Sequence, residues 1–199
     1  MFNPYEYFKG KNVLLIGNGE KLDQIDYSKY NSIVRMNLGV QDKPCDVWIN
    51  NLVHEGHNKL KEIPQIRCIV RLNFEKDGKR ADRMPEYVKK KAWLWNKEEY
   101  NLMTQRYNYQ RPTTGFVAIY WLLNHCECKV TITGFDFFKT KNRYTMEEVQ
   151  HIGTNKGYNH DVKLEEEVIT KLIQRGFINK LWIIIQLNQY RMKKQNHLF

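Results

Sequence analysis

The chain has 199 residues, 42% of them hydrophobic and 13% aromatic, which suits one domain with a real core and excludes intrinsic disorder. Its 32 Lys and Arg against 22 Asp and Glu leave a net charge of +10. That excess asks for an acidic partner without separating nucleic acid, an anionic membrane surface and a nucleotide-activated acidic sugar.

The amino-terminal MFNPYEYF is polar and aromatic rather than a secretory apolar segment, and no apolar run has the length of a membrane span. The expectation is a single domain over residues 1–199. Lys11 to Ile16 carries a continuous apolar run, as a buried parallel strand does, and stops at Gly17-Asn18-Gly19. Two glycines there let backbone N–H groups approach a ligand, yet Leu22 stands where a dinucleotide fingerprint has its third glycine. A tight βα turn with no ligand accounts for the pattern equally well. Ser32 to Arg35 and Asp46 to Ile49 read as further strands, ending at Asn37 and at Asn50-Asn51. Ligands of open α/β sheets bind outside the carboxyl ends of the strands, so this repetition of Asn suggests one polar ligand. Single Asn residues after strands are otherwise turn formers.

His54 to Lys61 reads as an exposed helix, Ile66 to Leu72 as a fourth strand, and Phe74 to Lys91 as a charged connection with a solvated face. Ala92 to Asn96 suits a short strand and Glu98 to Tyr107 a short helix. Arg111-Pro112-Thr113-Thr114-Gly115 is a turn at a helix start, where unpartnered N–H groups and the dipole favour an anion. Phe116, Ile119, Tyr120 and Leu123 recur at helical spacing. Lys129 to Thr133 is a β-branched strand broken by Gly134, with Asp136 at its edge. Residues 139–158 read as a lid or acceptor loop. A helix opens at His160 and runs to about Arg175, with acidic residues early, as the dipole prefers. A His at that position is either a surface cap or a general base. The tail beyond Ile178 reads as a final strand and helix, or as an amphipathic membrane-surface element. Cys45, Cys68, Cys126 and Cys128 lack paired C-x-x-C spacing, which points to free thiols in a cytoplasmic protein.

In chain order these pieces resemble the sialyltransferases of glycosyltransferase family 29. Gly17-Asn18-Gly19 with Arg35-Met36-Asn37 is similar to the first long sialyl motif, a G-N segment followed by R-x-N. Pro112 to Phe116 through Gly134-Phe135-Asp136 resembles the second, P-[ST]-T-G-F followed by a helix, a strand and G-F. His160 to Glu165 matches the short H-x-x-x-x-E motif. A secondary likeness to the bacterial sialyltransferases of family 42 lies in Gln110-Arg111, in Leu22 to Tyr27, in Gly134 to Phe137 with Tyr144 downstream, and in His151-Ile152-Gly153.

The resemblance implies an α/β fold, a Rossmann-like GT-A variant whose mostly parallel sheet is flanked by helices. It also implies a CMP-activated acidic sugar as donor, a glycan or glycolipid as acceptor, no metal cofactor and no nucleic acid. Gly17, Asn18, Gly19 and Asn37 would then hold the cytidine phosphate and ribose. Arg111, Thr113, Thr114 and Gly115 would meet the nucleotide or the sugar carboxylate through hydroxyls and backbone N–H groups. Asp136 would line the cleft as a structural partner, and Tyr144 would donate to the leaving phosphate. His160 would be the base, with His151 the alternative. Apart from the resemblance, the cysteine pattern points to a cytoplasmic place of action, with a peripheral position at the inner face of a membrane as an option. No Cys accompanies the first strand, so the disulfide that joins the long motifs in animal family-29 enzymes has no counterpart. A CMP-Kdo-dependent transferase is the alternative within the class. A non-catalytic nucleotide- or nucleic-acid-binding module is the alternative outside it.

Overall fold

A computed structural model describes residues 2–19, 25–42, 44–50, 66–70, 86–109, 111–139 and 160–181. The helix expected from His54 to Lys61, Asn51, Gln110, Tyr144, His151, nearly all of the 139–158 loop and the tail after Leu181 lie outside them.

The strands are β1 (Asn12–Ile16), β2 (Ser32–Met36), β3 (Val47–Asn50), β4 (Arg67–Val70), β5 (Ala92–Leu94), β6 (Lys129–Thr133) and β7 (Ile178–Lys180). They form one sheet in the order β5-β4-β3-β2-β1-β6-β7. Every pairing is parallel. The near-continuous apolar runs in β1 to β4 and β6 follow from this, since a central parallel strand is covered on both faces. Alternate residues go to opposite sides. Val13, Leu15, Val34 and Ile132 join the larger core, while Leu14, Ile16 and Ile33 form a smaller one with Tyr27 and Tyr30.

The helices are α1 (Pro4–Phe8), α2 (Glu86–Lys91), α3 (Lys97–Arg106), α4 (Thr114–His125) and α5 (Val162–Gln174). The spacing argument holds for α4, where Phe116, Ile119 and Tyr120 are buried against the sheet. Each such side chain contributes about 1.5–3 kcal/mol on burial. The last turn of the charged connection is helical, as α2, with Lys89 bonded to Glu86. Helix α1 goes beyond the sequence reading. Asn3 caps it by accepting from Tyr5 N, Pro4 opens it, and the Tyr5 hydroxyl donates to Glu99 on α3.

Cys126 and Cys128 are free thiols. Burial pushes the Cys128 thiol up to about 12 and Cys126 higher still, so both stay protonated and poorly nucleophilic. Among the described residues no helix is long and apolar enough to cross a membrane.

Candidate active site

Strand order reverses between β1 and β6, whose neighbours run outward in opposite directions. Crevices at such a point, outside the carboxyl ends of the strands, take ligands in open α/β sheets. The parallel register brings the ends of β1, β2 and β3, with Asn18, Asn37 and Asn50, to one edge. The side-chain oxygen of Asn18 and the hydroxyl of Thr133 are buried there without a hydrogen-bond partner among the described residues. Buried polar atoms of this kind are uncommon in native structures and call for an occupant.

The turns after β1 and β6 close on each other. Gly17 N–H donates to Thr133 O at 2.8 Å and Gly19 N–H to Gly134 O at 3.0 Å. A Cβ on Gly17 would collide with the Gly134 carbonyl, and one on Gly19 would lie 2.6 Å from the Asp136 carboxyl carbon. This corrects the expectation that these glycines offer N–H groups to a ligand. Their N–H groups are taken up by the β6 turn, and the missing side chains allow two backbones to touch. Gly134, at φ +69, also needs its conformational freedom. Asp136 covers Gly19 and accepts from Phe138 N at 3.0 Å.

A second cluster forms where α5 meets the start of α4. Glu165 is 3% exposed. Its Oε1 accepts from the Tyr109 hydroxyl at 2.8 Å and from Thr113 N at 2.7 Å, and its Oε2 from the Thr113 hydroxyl at 2.6 Å. The Tyr109 hydroxyl in turn accepts from Asp161 N at 2.8 Å. Burial and the adjacent Glu165 carboxylate push the Tyr109 phenol well above the ordinary tyrosine range, so it remains a donor. Asp161, rather than His160, caps α5 through Leu164 N.

The Thr113 hydroxyl proton is therefore not available to a donor sugar. The hydroxyl donates to Glu165 and accepts from Phe116 N as the cap of α4. The expectation for Thr113 is corrected on that ground, since both its N–H and its O–H end on one carboxylate 52 residues away. Val117 N–H bonds to Thr113 O. No hydrogen bond from the Thr114 or Gly115 N–H groups is seen among the described residues. The anion-binding character of this helix start consequently lies in its backbone and dipole.

His160 Nδ1 lies 2.6 Å from Arg111 O. A carbonyl oxygen only accepts, so Nδ1 carries a hydrogen and the basic nitrogen of the neutral ring is Nε2. The Arg111 side chain is exposed, and its carbonyl is the part that reaches His160.

Phe135 joins the two clusters. Its ring would lie 2.7 Å from a Cβ on Gly115 and 3.2 Å from one on Gly17. Arg35 is 0% exposed beneath the sheet edge. It donates from Nε to Pro44 O at 2.9 Å and faces Asp42 at 3.6 Å, tying down the turn that begins at Asn37. Asn37 sits at φ +48, with its carbonyl accepting from Trp48 Nε1 at 2.8 Å.

The turn after β6 spans Asp136 to Lys139 and is closed by Lys139 N donating to Asp136 O at 3.2 Å. Phe137 at φ +55 and Phe138 at φ +60 both take left-handed backbone, which costs roughly 1–2 kcal/mol for each side-chain-bearing residue. The turn is held by Asp136 on Phe138 N, by Lys139 paired with Glu166, and by Lys180 over the Phe137 ring at 5.7 Å.

A profile of glycosyltransferase family 29 (sialyltransferase) matches residues 47–177. The chain belongs to that family. The matched span covers β3 to the end of α5 and holds the Thr113 turn, the Gly134 turn and His160 to Glu165. The G-N-G and R-M-N segments precede it. Family 29 membership makes the protein a glycosyltransferase of the sialyltransferase class, and the alternatives of a Kdo transferase and a binding module draw no support from the match. Solved family structures share its fold. A crystal structure of a mammalian sialyltransferase in complex with Gal-beta-1-3GalNAc-ortho-nitrophenol aligns at TM-score 0.61 and 16% identity, over 89% of this chain and 71% of that one. Another mammalian sialyltransferase crystal structure gives 0.59 and 16%, over 86% and 69%. No curated protein matches by sequence comparison.

Tyr109 is a site component that sequence reasoning missed. Arg35 and Phe135 stand in the sequence only as parts of the two long motifs, and their roles in the site come from the fold. Tyr144 and His151 lie outside the described residues.

Proposed function

We propose that this sialyltransferase moves sialic acid from CMP-sialic acid to a glycan or glycolipid hydroxyl by a single inverting displacement, without a metal and with His160 as base. The observation that carries this reading is the seating of His160. Its Nδ1–H is held by Arg111 O on the loop that opens α4, and Glu165 on α5 clamps that loop. One assembly thus orients a basic Nε2 and an anion-favouring helix start.

The Nε2 lone pair takes the proton of the acceptor hydroxyl while that oxygen attacks the anomeric carbon. The bond to the CMP phosphate breaks on the opposite side, and the electron pair leaves with CMP. Charge building on the phosphate is stabilised by the Thr114 and Gly115 N–H groups and the positive end of α4. Asn18 and Asn37 flank the nucleotide at the ends of β1 and β2.

Release of CMP is the direct assay. CMP-sialic acid should be turned over in EDTA as fast as without it, and CMP-Kdo, the other CMP-activated 2-keto sugar, markedly more slowly. Turnover of neither donor would end this reading, and loss of turnover in EDTA would end its metal-free part.

A cytoplasmic site of action, peripheral at the inner face of a membrane, belongs to the same proposal. The net charge of +10 supports it. Co-sedimentation with phosphatidylserine vesicles should be seen at low salt, be lost at high salt and be absent with neutral vesicles. Equal binding to neutral vesicles would contradict it.

A further inference from the structure

The turn from Asp136 to Lys139 has the sign pattern of a type I′ turn, with left-handed backbone at both central residues. Asn-Gly is the sequence that adopts this backbone with least strain, yet here the two residues are Phe137 and Phe138. The first is explained from inside. Phe137 packs against the larger core and beneath the cations of Lys180 and Lys139. Phe138 is not. Its side chain is outside both cores and 39% exposed, and no ring or cation contact to it is seen among the described residues. A glycine would relieve the backbone strain at this position.

The place of the residue supplies the missing reason. Phe138 lies two residues past Asp136, which covers Gly19 at the strand-order reversal, so its turn borders the donor crevice. Its backbone is pinned on one side by Asp136 and on the other by the Lys139–Glu166 pair, which ties the turn to the helix bearing Glu165. An exposed aromatic ring on a backbone so held matches the C–H face of a hexopyranose, which is apolar, while the sugar hydroxyls stay hydrated. We propose that Phe138 is the stacking platform for the hexose ring of the glycan acceptor, and that the strained turn serves to present it. This rests on the sialyltransferase reading and adds an acceptor-binding residue to it.

The test uses the full-length protein, CMP-sialic acid, and lactose with a set of methyl hexosides as acceptors, taking the best acceptor of the wild type as probe. Phe138→Gly should raise the acceptor KM about tenfold or more while changing the KM for CMP-sialic acid far less, and should still melt cooperatively. Phe138→Trp should retain a near-native acceptor KM, whereas Phe138→Leu, apolar but not aromatic, should behave like the glycine variant. An unchanged acceptor KM in Phe138→Gly, or a native KM in Phe138→Leu, would overturn the proposal. So would a wild type that hydrolyses the donor but uses none of these acceptors. Absence of donor turnover by the wild type would instead strike the sialyltransferase reading on which it rests.

Discussion

Replacing His160 with Ala should lower sialyl transfer from CMP-sialic acid roughly 10²- to 10⁴-fold, the usual cost of losing a general base. That range corresponds to about 2.7–5.5 kcal/mol of lost transition-state stabilisation. The stability cost should be far smaller. The substitution removes the hydrogen bond from Nδ1 to Arg111 O, which is exposed to solvent, and such bonds contribute net about 0.5–1.5 kcal/mol. For a chain of this size that is a fall of about 1–6 °C in melting temperature, at roughly 2–4 °C per kcal/mol. A large rate loss with a small thermal shift therefore separates a base from a structural cap. The paired control is His151→Ala, which should keep most of the activity. Full activity in His160→Ala with loss in His151→Ala would transfer the role of base to His151.

The second large effect is expected at Glu165. Removing its carboxylate by Glu165→Ala leaves the Tyr109 hydroxyl, Thr113 N–H and Thr113 hydroxyl without their acceptor in a buried space. Each orphaned buried group costs about 1–3 kcal/mol. Rearrangement of the hydroxyls will recover part of this, so a net loss of about 3–5 kcal/mol is expected, the scale seen when one partner of a buried ionic cluster is deleted. The melting temperature should fall by about 6–20 °C. Glu165→Gln should be much milder. Its amide oxygen can still accept from Tyr109 and Thr113 N, and its amide nitrogen faces the Thr113 hydroxyl, which is able to turn and accept. Because Asp161 and His160 are fastened through Tyr109 and Arg111 to the same loop, Glu165→Ala should also lower the transfer rate, whereas a purely peripheral Glu165 would leave both stability and rate near native. Thermal melts of the two variants read this directly. A glutamine variant as unstable as the alanine one would show that charge rather than acceptor geometry holds the clamp.

The elements that the sequence made legible are those whose signal is local. β1, β2, β3 and β6 show as apolar or β-branched runs ended by Gly or Asn, and α4 shows in the spacing of Phe116, Ile119 and Tyr120. Helix α5 shows in its early acidic residues. Helix α1 went unread because five residues are too few for periodicity, although Asn3-Pro4 is a start signal in its own right. Strand order could not be read at all, since it depends on contacts such as Gly17 to Gly134 that join residues far apart in the chain.

The site shows the same division. His160, Asp136 and the Thr113 turn stand out by type and spacing, but the direction of a hydroxyl is set by what it faces. Thr113 faces Glu165, and nothing near Thr113 in the sequence announces a carboxylate 52 residues on. The glycines of Gly17-Asn18-Gly19 read equally well as ligand-facing or backbone-facing, and only the apposed β6 turn decides between them. The exposed ring and left-handed backbone of Phe138 are properties of the folded turn.

The most direct test of a metal-independent, inverting transfer is the anomeric configuration of the product formed from CMP-sialic acid in the presence of EDTA, read by NMR before any secondary reaction. A sialoside of configuration opposite to the donor, with its yield falling at least a hundredfold in His160→Ala, is the predicted result. A product of retained configuration, or no product once metal is chelated, would contradict the account.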